Sequence, residues 1–68
     1  MEDLQLVYSL LSNEIIRTER RIDRIDTIIS ECDRLNREYW CDVRAEAVAY
    51  LHGIHKSWDI VWKELTSR

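Results

Sequence analysis

IIRTERRIDRIDTII, residues 15–29, is the stretch whose reading decides the fold. Ile15, Thr18, Ile22, Ile25 and Ile29 recur in alternating steps of three and four, the spacing that stacks side chains along one side of an α-helix. The same stepping extends outward through Leu4, Tyr8 and Leu11 on one side and Cys32, Asn36 and Tyr39 on the other. It holds for five heptads without a skip. Val7, Ile28 and Leu35 fall beside this seam and widen it toward the stripe of a bundle helix rather than a narrow two-stranded zipper.

The second half repeats the pattern in a new register. Ala47, Leu51, Ile54, Trp58, Val61 and Leu65 follow the same stepping, flanked by Val48, Tyr50 and Trp62. With no proline and a single glycine, Gly53, the composition favours helix throughout. The expected architecture is a single all-α domain over residues 1–68: a helical hairpin with a long helix at about 3–39, a turn at about 40–42 capped by Asp42, and a shorter helix at about 43–66. One continuous helix, a helix start at Ser12-Asn13-Glu14, or a break at Gly53 with Ser57 capping the next segment are the alternatives.

A chain of 68 residues buries a small share of its surface, and such folds usually need disulfides, metal, very good packing or a second subunit. Cys32 and Cys41 form no disulfide framework, and their spacing suits neither a redox pair nor a zinc knuckle. A second subunit is therefore expected, two hairpins pairing into a four-helix bundle. Reduced thiols, acids rather than bases at the N-terminus, and charges that interrupt every apolar run point to a soluble cytoplasmic protein that does not cross a membrane.

Charge within residues 17–26 is sorted. At about 100° per residue, Arg17, Arg20, Arg21 and Arg24 fall on one flank of the isoleucine seam, and Glu19, Asp23 and Asp26 on the other. Most neighbours four apart carry like charge, and only Arg20 with Asp23 is well placed to pair within the helix. Such flanks suit contact with another helix or protein, where opposed charges fix orientation and register. Arginine outnumbers lysine eight to two, so phosphate is a second possible target. The net charge of -3, all of it arising in residues 1–39, disfavours nucleic acid.

Three tryptophans add to the contact reading. Trp58 lies in the seam, whereas Trp62 beside it and Trp40 at the expected turn are candidates for interface anchors. Thr18 and Asn36, polar groups in an apolar seam, are of the kind that restrict register and oligomeric state.

No constellation for catalysis stands out. His52 and His55 are three apart near Glu46 and Asp59, but no glutamate precedes a histidine by three, as a bundle di-iron site requires; His55 is simply placed to pair with Asp59. Cys41 has no arranged base, and no glycine-rich loop exists to cradle a nucleotide. No metal, cofactor or enzymatic activity is expected. The expected function is protein contact, as a self-associating adaptor or regulator or as an inhibitor covering a functional surface of a larger protein. A dimeric bundle gripping structured RNA or DNA through the arginine stripe is the alternative.

Overall fold

In a computed structural model, which describes residues 2–67 apart from the Glu2 side chain, the chain is an all-α helical hairpin. Helix α1 spans Glu2–Glu31 and α2 spans Arg34–Thr66. The arms run antiparallel, as contacts pairing Asp26 with Arg44 near the turn and Ser12 with Trp58 far from it require. The result is a rod 51 Å long and 14 × 13 Å across.

The isoleucine seam of α1 faces α2. Ile15, Thr18, Ile22 and Ile25 are buried and Ile29 half-buried. From α2, Ala47 and Ile54 are buried, and Leu51, Trp58 and Val61 half-buried. Ile22, Ile25 and Ala47 form the tightest cluster, with Ile29, Trp40, Val43, Val48 and Leu51 packed against it. Small Ala47 at its centre lets the helices approach where two large isoleucines oppose it.

The turn is not at 40–42. It is Cys32–Asp33, and the helix expected over 3–39 ends at Glu31. Asp33 is the N-cap of α2: its backbone is extended (φ -74°, ψ 172°), and its carboxylate accepts from the Asn36 amide at 3.0 Å. Asn36 Nδ2 donates to the same oxygen, also at 3.0 Å. Asp42, the expected cap, lies exposed inside α2. Both aspartates have cap chemistry, and pairing length decides between them. A break at Cys32–Asp33 gives arms of 30 and 33 residues, so the two seams can cover each other along their whole length. A break after Tyr39 would leave about 20 Å of the first helix unopposed, at 1.5 Å per residue.

The connection needs no glycine, because no described residue has a positive φ. It is invisible to a search for glycine or proline. Moving the turn also moves Asn36 and Tyr39 out of the α1 seam and into the first turns of α2, where both are exposed. Asn36 therefore reinforces the cap and specifies no interhelical register. Thr18 likewise spends its hydroxyl locally, donating to the Glu14 carbonyl at 2.7 Å, so it is buried without needing a partner across the seam.

Gly53 does not break α2, which runs on through Thr66. Ser57 caps no new segment; its hydroxyl donates back to the Gly53 carbonyl at 3.3 Å. A methyl group added at Gly53 would meet nothing within 4 Å, so close approach does not demand glycine there.

The placement of the turn has a direct test. Replacing Asp33 by Ala should destabilise the fold by about 1 kcal/mol through loss of the cap, whereas Asp42→Ala, at an exposed site inside a helix, should be neutral or slightly stabilising. Urea unfolding of the two variants measures this, and a larger loss for Asp42→Ala would restore the turn at 40–42.

Candidate interaction surfaces

The sorted flanks of α1 acquire different surroundings once α2 is in place. The acidic flank lies along the groove where the helices meet. Glu19, Asp23 and Asp26 line a shallow hollow there with Ile22, Arg44, Val48 and Leu51. Asp26 is committed within the chain: Arg44 Nε donates to its Oδ1 at 2.6 Å, and this hydrogen bond raises the Arg44 pKa above its ordinary value. One edge of the acidic flank thus ties α2 to α1 and is not free for an outside partner.

The basic flank points the other way. Arg17, Arg20 and Arg24 line an open depression on the outward face of α1, together with Asn13, Ile16 and Asp23. Arg21 lies outside that depression and is also exposed. The expected Arg20–Asp23 ion pair does not form. Among the described residues the arginine pairs are Arg17 with Glu14, at 3.7 Å, and Arg44 with Asp26. Arg20, Arg21 and Arg24 therefore present unpaired guanidinium groups along little more than one turn of helix, and Ile16, one turn before Arg20, is 48% exposed.

Glu14 connects the basic strip to α2. Besides its long contact with Arg17, it accepts a hydrogen bond from the Tyr50 hydroxyl at 3.1 Å. That bond, followed by desolvation and the nearby negative charge, raises the Tyr50 pKa, so the phenol stays protonated to higher pH than usual. The link favours the folded hairpin below the ordinary tyrosine pKa and is lost as pH rises through the elevated one.

The tryptophans divide between the two ends of the rod. Trp40 is not at the turn. It lies within α2, half-buried, packs against the Ile22–Ile25–Ala47 cluster and meets Tyr39 edge to face at 5.3 Å. At the opposite, open end, Trp58 Nε1 donates to Ser12 Oγ at 3.0 Å. The Trp58 and Trp62 rings stack at 5.9 Å with 7° between their planes, and Tyr8 lies 5.4 Å from the first and 5.7 Å from the second. Trp62 remains 44% exposed on this stack. A single-helix wheel shows Trp62 off the seam; the Tyr8 platform beneath it appears only when α1 is laid alongside.

Titratable residues outside these surfaces do not converge. His52 and His55 are exposed, and the expected bond between His55 and Asp59 is absent. Cys41 is exposed and Cys32 half-buried, both as free thiols. No group of three or more potential metal ligands is brought together among the described residues. Nor is any described helix long and apolar enough to cross a membrane.

The hairpin exposes more surface than a compact monomer of its mass would. A compact monomer of this mass has about 4,500 Å² of accessible surface. This 8.2 kDa chain has 5544 Å². Its radius of gyration, 15.6 Å, likewise exceeds the roughly 11 Å of a compact chain of its length. Among the described residues no large side chain is fully buried, while Leu6, Leu10, Leu35, Tyr39, Ile60 and Trp62 are among the large apolar groups left exposed. No protein-family model, curated protein or solved structure matches the chain.

Proposed function

We propose that this protein works by contact rather than by chemistry: a non-enzymatic helical hairpin that associates with itself as a homodimer and docks with a larger protein. In that role it serves as an adaptor or regulator, or as an inhibitor covering a functional surface. The observation that carries the reading is the surplus of accessible surface, about 1,000 Å² beyond a compact monomer of the same mass. Leu6, Leu10, Leu35, Tyr39 and Ile60 are each more than half exposed on that surface. Apolar area of this extent is normally covered. Two free cysteines support a reducing, cytoplasmic setting. Light scattering on the purified chain at micromolar concentration should give twice the 8.2 kDa chain mass. A folded, cooperatively melting species at the single-chain mass would refute self-association.

One observation favours a second reading, binding to structured RNA or DNA. Arg20, Arg21 and Arg24 are unpaired, and Arg17, Arg20 and Arg24 share one outward depression where a phosphate backbone has access. Against it stand the net charge of -3 and, in the same depression, Ile16 at the N-terminal end of the strip and Asp23 within it, which offer phosphate nothing. If the four arginines grip phosphate, binding to a duplex should fall steeply with salt, by about tenfold for each doubling of concentration, and vanish when all four become glutamine. Binding that survives those substitutions, or no binding by the native chain, rules this reading out.

A further inference from the structure

Among the described residues, full burial is confined to the middle of the hairpin and is absent from residues 26–46 around the turn as well as from the open end; what marks the open end is five large apolar side chains left exposed, Leu6, Val7, Leu10, Ile60 and Trp62, against Leu35 and Tyr39 at the turn. On α1 the first buried residue is Ile15 and on α2 the last is Ile54. Beyond them, toward the open end, residues 3–14 and 55–67 contain no buried side chain. Yet these stretches carry eleven large apolar or aromatic residues, six from α1 and five from α2.

The helices do meet there, through the Trp58–Ser12 hydrogen bond and the Tyr8–Trp58–Trp62 stack. What differs is how densely apolar residues fall off the seam. Over residues 15–29 the seam itself covers an arc of roughly 80° at 100° per residue, which one neighbouring helix can bury, and two of the six isoleucines, Ile16 and Ile28, lie outside it. Over residues 4–11 three of six large apolar residues, Leu6, Val7 and Leu10, lie outside it within only eight positions, and the six together spread over roughly 200° by the same geometry. A single partner helix covers only about half of that. Leu6 and Leu10 are accordingly each 59% exposed and Ile60, across the end, 70%.

We propose that a second copy of this chain covers the open end, the two hairpins overlapping side by side about a two-fold axis so that α1 of each lies across α2 of the other. The proposal rests on the self-association reading and names its surface. Area fits a second copy, since a standard interface removes about 800 Å² from each partner and the hairpin exposes roughly 1,000 Å² beyond a compact monomer. Charge fits as well. Helix α1 carries no basic residue before Arg17, whereas both lysines of the chain, Lys56 and Lys63, lie on α2 in this same end. Crossing α1 over the partner's α2 brings Asp3 toward those lysines; Glu14 stays engaged with Tyr50 and Arg17, and Asp59 and Glu64 lie on the same stretch of α2, so charge biases orientation while apolar area supplies the contact. The arginine strip is excluded as the self-contact, because an antiparallel two-fold through it would oppose Arg20 to its own copy.

Sedimentation equilibrium on the full chain tests the assignment with two double variants, each at residues exposed in the single hairpin. Leu6→Lys with Leu10→Lys should raise the dimer dissociation constant about 30-fold or more, the effect of losing central apolar anchors. Leu35→Lys with Tyr39→Lys, at the turn end, should leave it within about threefold. Circular dichroism checks that both variants keep their helices. A native dimer that the turn-end pair dissociates and the open-end pair does not overturns the surface while leaving self-association intact. A monomeric native chain overturns both, and points to a different protein as the occupant. A second readout avoids altering the interface. In Trp40→Phe the remaining tryptophans, Trp58 and Trp62, both report on the open end. Their emission should shift to the red as dilution separates the copies, and an unchanged spectrum across dissociation contradicts the proposal.

Discussion

The interaction on which everything else depends is the antiparallel contact of the Ile15–Ile29 seam with Ala47, Leu51 and Ile54 of α2. It is where the hairpin's buried side chains lie. It also sets the direction of every other group. With the seam turned inward, the acidic flank necessarily falls into the interhelical groove, where Asp26 finds Arg44, and the arginines are left facing solvent. The charge sorting seen along one helix is thus converted into an inside edge and an outside edge by packing alone.

A two-helix contact has a geometric ceiling. Each helix offers the other one stripe, so residues outside that stripe stay wet however well the stripe fits. Near the turn the flanking positions are mostly charged or polar, with Leu35 and Tyr39 the exposed exceptions. At the open end the flanks are leucine, valine, isoleucine and tryptophan, and the same geometry leaves an apolar surface. Five of the nine large apolar side chains left exposed among the described residues, Leu6, Val7, Leu10, Ile60 and Trp62, therefore gather at the open end.

The periodic part of the architecture was legible in the sequence because period is a local property. Ile15, Ile22, Ile25, Ile29, Leu51, Ile54, Trp58 and Val61 announce their inward side by spacing alone, and they lie buried or half-buried between the helices. The turn was not legible, because Asp33 and Asp42 are both acceptable caps and the choice is made by how much seam each would leave unopposed. The pattern Asp33-x-x-Asn36, an acceptor followed three residues later by an amide, was the available local signal, and it lost to an expectation of a longer first helix. The contacts joining the arms, Tyr50 with Glu14 and Trp58 with Ser12, were out of reach for the same reason: they depend on the register between helices, which the turn sets. Thr18 and Asn36 show a further limit. A polar residue at a seam position suggests a partner across the seam, yet both satisfy themselves within their own turns.

If the hairpin is completed by a second copy, its folding and its association are one equilibrium, and thermal stability must depend on how much protein is present. Thermal unfolding followed by circular dichroism over about a hundredfold range of concentration measures that link, and the account predicts a midpoint that climbs by several degrees across the range. A sharp, reversible transition whose midpoint stays fixed would show that one copy suffices, and would contradict completion of the hairpin by a second copy.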